Sequence, residues 1–88
     1  MPYIPQGDRK KYEPWLGELR EAMSIRTPKG DLTYLVYALA LEFWKEKGAS
    51  YTSISEAIGA LNDAAEEMRR RHLAPYENKK IEENGDVI

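Results

Sequence analysis

The 88-residue chain has no cysteine and one histidine, His72. Without cysteine there can be no disulfide framework, thiol nucleophile or thiolate zinc site, and a reducing compartment suits the chain. With one histidine a multi-histidine metal centre is excluded. No apolar run approaches the roughly 20 residues that a membrane span requires. The opening MPYIPQGDRKK also lacks the apolar heart of a signal peptide. The chain contains no glycine-rich phosphate loop, no Gly-x-Ser-x-Gly and no His-Glu-x-x-His. Basic charge is not in surplus either: the net charge of −2 and a pI of about 5.4 argue against nucleic acid as the partner. These absences lead us to expect an intracellular protein with no membrane contact, no cofactor, no metal and no catalytic residue.

What is present reads as one helical domain over 1–88. Hydrophobic residues make up 42% and charged residues 32%, so the chain can fold. A chain this short buries only about 60–65% of its unfolded surface, which leaves a thin core that self-association would thicken. The expected fold is all-α, with three main helices at about 14–25, 31–47 and 53–74 and a short C-terminal helix at about 76–83.

In EPWLGELREAMSI, Pro14 suits a first helical position, and Leu16, Leu19 and Met23 recur at spacings of three and four. RTPKGD interrupts the pattern. Asp31 then offers an N-cap for LTYLVYALALEFWKEKG, which closes on lysines and Gly48. Thr52 or Ser53 can cap the third helix, Ser53 having Glu56 in the capping-box position. Ile54, Ile58, Leu61, Ala65 and Met68 form its apolar stripe, which runs on to His72. Pro75 should kink or end that helix, and Gly85 is a natural stop for the last one. MPYIPQG, residues 1–7, reads as an extended arm, and residues 75–88 as an ordered polar tail.

The second helix carries more apolar surface than one face can hold. Leu32, Leu35, Val36, Leu39 and Phe43 form one stripe, while Tyr34, Tyr37, Leu41 and Trp44 take much of the remaining circumference. Such a helix must be covered on more than one side, and a symmetric copy is the natural second cover, so a homo-oligomer is expected.

Three polar constellations can carry chemistry. Arg69, Arg70 and Arg71 follow Glu66 and Glu67, and the four-residue spacing pairs Glu66 with Arg70 and Glu67 with Arg71 on a solvated helix face. On a helical wheel Arg70 points away from the apolar stripe while Arg69 and Arg71 flank it, placed to offer a planar fork to a phosphate at a subunit boundary. His72 falls on the stripe and reads as a core residue. The tyrosines and Trp15 and Trp44 read as core and interface material, a subset being able to stack on a planar ring. Glu66, Glu67, Glu77, Glu82, Glu83 and Asp86 do not reproduce the spacing of an all-helical magnesium site.

MPYIPQ at the start, GDLTY in the second helix, GASYTSISEAIGAL leading the third and RRHLAPYENKKIEENGDVI at the end together resemble a family of small uncharacterised proteins of about this length from tailed bacteriophages, prophages and their hosts. The similarity spans nearly the whole chain. The terminal segment is its most specific part, because no general helix rule requires that order of residues. Members often show Asp-Pro where this chain has Glu13-Pro14, an exchange of one acidic residue for another. The resemblance implies a viral setting in the cytoplasm of a bacterial host and supplies no mechanism.

The function expected from these features is an oligomeric binding protein that sequesters a small nucleotide-derived immune signal, of cyclic nucleotide or ADP-ribose type, without catalysis and against host defence. Its ligand-binding residues would be Arg70 and Arg71 for phosphate, Tyr3, Tyr34 and Tyr76 for stacking, and the polar tail residues Lys80, Asn84 and Asp86 for ribose or base edges. The alternative is a structural or protein-binding helical module with the tail as its interface. Metal-dependent nucleotide hydrolysis stands third.

Overall fold

The computed structural model describes residues 2–88. Its elements are α-helical throughout, with no strand among the described residues: α1 (Gln6–Arg9), a 3-10 turn (Lys10–Tyr12), α2 (Glu13–Ala22), α3 (Lys29–Lys47), α4 (Tyr51–Met68), a π-helical turn (Arg69–Leu73) and α5 (Ala74–Asn84). No helix among the described residues is long and apolar enough to cross a membrane.

The extended arm is shorter than expected. Met1 lies outside the described residues, and from Gln6 the chain is already helical, entered through an extended Pro5. Pro14 sits in the first turn of α2, where its missing N–H costs nothing. This helix stops at Ala22 rather than near residue 25, because side chains there compete for the backbone. Met23 is extended, the Ser24 amide donates to Thr27 Oγ1 at 2.9 Å, and the Arg26 amide donates to Ser24 Oγ at 3.1 Å.

Helix α3 starts two residues before the expected Asp31 cap. Pro28 holds the N-cap position with extended backbone, so Asp31 lies in the first turn, where its carboxylate faces the positive end of the helix dipole instead of capping it. At the other end Gly48 closes the helix at φ 89°, a backbone conformation that other residues adopt only under strain. The cap of α4 also comes earlier than expected, two residues before Thr52 and three before Ser53. Ser50 is the N-cap and Ser53 the third helical residue. The Ser53 amide donates to Ser50 Oγ at 3.0 Å and the Ser50 amide donates to Ser53 Oγ at 3.1 Å, a reciprocal capping box in which serine replaces the usual glutamate. Ser53 Oγ also donates to the Gly48 carbonyl at 2.8 Å.

Pro75 does not end the helical backbone. A proline inside an α-helix lacks a donor and presses its ring on the carbonyl four residues back. Here the backbone widens into the π turn just before it, with the Ala74 amide donating to the Arg69 carbonyl, and helical backbone continues. The expected helix at 76–83 is therefore no separate element. It is the far end of a helical run that begins at Tyr51 and closes at Asn84, where Gly85 takes φ 87°.

The principal packing between helices is α3 against α4. Tyr37, Ala40, Leu41 and Trp44 face Ile54, Ala57, Ile58 and Leu61 across this seam. Ala57 is 5% exposed there, and it and Ser53 are the buried residues among those described. The seam uses the second side of α3. The stripe of Leu32, Val36, Leu39 and Phe43 faces away from it, Leu39 being 73% exposed. His72, expected in the core, is exposed because the seam ends at Leu61, short of Ala65, Met68 and His72.

The result is an open molecule. Its radius of gyration is 16.7 Å, whereas a compact chain of this length has about 12 Å. Its accessible surface is 8089 Å², whereas a folded monomer of 10.1 kDa exposes about 5,300 Å². Large apolar side chains contribute to the excess of about 2,800 Å²: Trp15, Leu16, Leu32, Leu39, Met68 and Tyr76 are all exposed.

Candidate functional site: a tyrosine–glutamate–arginine cluster

The π turn concentrates three successive arginines where α4 passes into α5, and the N-terminal arm reaches them. Tyr3 Oη donates to Glu67 Oε1 at 2.6 Å. Arg71 Nη1 donates to the same hydroxyl at 2.9 Å, and its guanidinium carbon lies 5.6 Å from the centre of the Tyr3 ring. Glu67 also pairs with Arg70 and, at 3.7 Å, with Arg71 Nε. One carboxylate thus collects a phenol and two guanidinium groups. Its side chain is only 16% exposed, the least of the charged groups in the cluster.

Electrostatics follow from that crowding. The Tyr3 hydroxyl is the main influence holding the Glu67 carboxyl below the usual carboxylate range; desolvation works against it, and Arg70 and Arg71 add to it. Arg70 is pushed above the ordinary guanidinium range, chiefly by its hydrogen bond to Glu67. Beside this cluster Glu66 pairs with Arg69 rather than with Arg70, which Glu67 already engages.

Asp63, Glu66, Glu67, Arg69, Arg70 and Ala74 line an open depression of about 470 Å³. Its charges nearly balance within the chain, so an anion entering it must exchange with Glu66 or Glu67 for the arginines. A guanidinium has five donors in a fixed fork, and one carboxylate contact leaves several of them free for such an exchange.

The structure distributes the expected site residues over several places. Tyr3, Arg70 and Arg71 meet at Glu67. Tyr76 and Lys80 form a second pair on α5, with the Lys80 ammonium 5.7 Å from the Tyr76 ring centre and 3.3 Å from Glu83. Asn84 is the last residue of α5. Asp86 beyond it is engaged locally, its Oδ1 accepting from the amides of Val87 at 2.7 Å and Ile88 at 3.4 Å. Tyr34 stands exposed on α3 and lines neither depression near the arginines.

Glu67 is the functional residue that sequence reasoning passed over. Its spacing to Arg71 was legible, but its bond to Tyr3 joins positions 64 apart, and no local pattern announces that. Among the described residues no three His, Cys, Asp or Glu side chains come together as a metal would need.

A second, apolar depression of about 600 Å³ lies on the same rod, lined by Ala65, Met68, Arg69, His72, Leu73 and Tyr76. Among known families, the family model described as a domain of unknown function, DUF6899, matches residues 1–87. No curated protein and no solved structure matches the chain.

Proposed function

For a chain that belongs to the DUF6899 family, we propose a binding role: copies assemble into a homo-oligomer whose subunit boundaries hold a small nucleotide-derived anion without transforming it. The observation that carries the reading is the uncovered apolar surface around a cluster of arginines and tyrosines. A stripe such as Leu32, Val36, Leu39 and Phe43 is stable in water only when covered, and a second copy of α3 is the cover that symmetry supplies. Assembly then sets boundaries close to Arg70, Arg71 and Tyr3 on one side of the rod and Tyr76 and Lys80 on α5.

The chemistry of those residues suits a phosphate-bearing ring compound. Guanidinium forks match phosphate oxygens, and tyrosine faces stack on a base. Glu67 is the resident competitor for the arginines, and a dianionic phosphate outbids a single carboxylate once the boundary excludes water. Asn84 and Asp86 at the end of α5 are the groups for ribose or base edges. The resemblance to small bacteriophage proteins supports a setting in the cytoplasm of an infected bacterium, where capturing a cyclic nucleotide or an ADP-ribose derivative would blunt a host defence signal.

The test is to incubate the purified protein with a panel of cyclic dinucleotides and ADP-ribose derivatives, filter it, and then denature it. Intact compound recovered only after denaturation supports sequestration. Altered compound indicates an enzyme, and compound left in the filtrate removes both readings. Arg71→Ala should abolish capture while the oligomer persists. A second reading, in which the tail docks on a protein partner, draws support from Val87 and Ile88, whose side chains are fully exposed beyond α5.

A further inference from the structure

Helix α2 carries an apolar face that remains partly exposed. Trp15, Leu16 and Leu19 lie on one side of it, with Trp15 at 59%, and the extended Met23 follows. Its neighbour in sequence, the turn at Ser24–Thr27, is held by its own hydrogen bonds, and α2 takes no part in the principal packing of α3 against α4. On the α4–α5 rod, the depression of about 600 Å³ around Met68, His72 and Leu73 is equally uncovered.

We propose that α2 of one copy packs into this depression on the rod of a neighbouring copy. The contact rests on the reading of the chain as a homo-oligomer and names a surface which that reading leaves open.

Three observations favour this occupant. The first is area. The excess surface of about 2,800 Å² corresponds to roughly three interfaces of standard size counted per partner, more than one symmetric contact of that size through α3 buries. The second is length. The ten residues of α2 span about 15 Å, and the stretch from Ala65 to Tyr76 spans about 17 Å of helix. The third is charge. Glu18 borders the apolar stripe of α2, whereas Arg69, which its own chain pairs with Glu66, rims the depression. Packing the two stripes together offers that guanidinium a second carboxylate, an arrangement that orients the contact.

The two patches differ, so the contact is heterologous. It either swaps reciprocally between two copies or continues round a ring.

The absence of cysteine makes the test clean. The double variant Leu19→Cys/Met68→Cys, and independently Leu16→Cys/Leu73→Cys, is oxidised and run denatured without reductant. The expected result is product of two or more linked chains from at least one pair, the top of the ladder giving the copy number, with each single variant remaining at one chain. A dimer from Leu19→Cys alone, or a link confined within one chain from both pairs, overturns the proposal. Leu19→Glu and Met68→Glu give a second measurement: each should lower the native mass, and an unchanged mass for both overturns it as well. Failure of the underlying reading is seen separately, as a wild-type protein whose native mass is that of one chain.

Discussion

The Tyr3 hydroxyl donates to Glu67 at 2.6 Å, a contact that ties the N-terminal arm to the far end of α4 across 64 positions of sequence. It gives a short extended segment without regular backbone pairing a fixed place on the molecule, and it sets that segment beside the arginines.

Tyr3→Phe removes the donor and leaves the ring. The expected outcome is a freed arm with the helices intact: faster amide exchange and easier proteolytic trimming before Gln6, with unchanged helical circular dichroism. An arm as protected as in the wild type would show that ring packing against Arg71, not the hydroxyl, holds it.

The same contact gives a pH dependence with a definite sign. The folded-state carboxyl of Glu67 titrates below its ordinary range, so the stability it contributes is fully present above the ordinary glutamate pKa and is lost as pH falls through the depressed folded value. Arm docking, followed by the Tyr3 ring resonances in NMR, should stay constant from neutral into mild acid and be lost below it. Glu67→Gln should flatten the profile. Loss of docking already near neutrality would assign the switch to another group.

The capping box at Ser50 and Ser53 is the most concentrated set of local hydrogen bonds in the chain. Ser50→Ala should lower stability to denaturant by about 1 kcal/mol, and Ser50→Asp should restore most of it. Ser53→Ala should cost at least as much, since it also removes the donor to the Gly48 carbonyl and the group is buried. Equal stability of Ser50→Ala and wild type would place the start of α4 elsewhere.

Ala57 is the buried apolar residue of the α3–α4 seam among those described. Ala57→Leu should destabilise the seam by about 1–3 kcal/mol, because added methylenes there force side chains off their rotamers. A neutral or stabilising effect would mean that the depression of about 260 Å³ along the seam accepts them.

Much of the fold was legible because helix signals are local. The spacing of Leu16, Leu19 and Met23, the glycines at 48 and 85 and the stripe from Ile54 to Leu61 each report on a few neighbouring residues, and the helices follow them. The ends were misread where two local groups compete. Pro28 outranked Asp31 as the cap of α3, Ser50 came before Ser53 at α4, and a π turn absorbed Pro75 where a break was expected. The cluster was half legible: Arg70 and Arg71 stand three and four residues beyond Glu67, within helical reach of it, but the approach of Tyr3 depends on how the whole chain turns. Which side of α3 meets α4 was likewise beyond a pattern that is apolar all round, and the tyrosine and tryptophan side takes the seam while Leu39 faces outward.

The central claim is that this open chain is one part of an assembly, and native mass tests it most directly. Sedimentation equilibrium of the wild type should give an integral multiple of 10.1 kDa, with Leu39→Glu shifting the distribution to smaller species while the helices remain. A stable, cooperatively folded species at the mass of one chain, holding at the highest concentration reached, would contradict it.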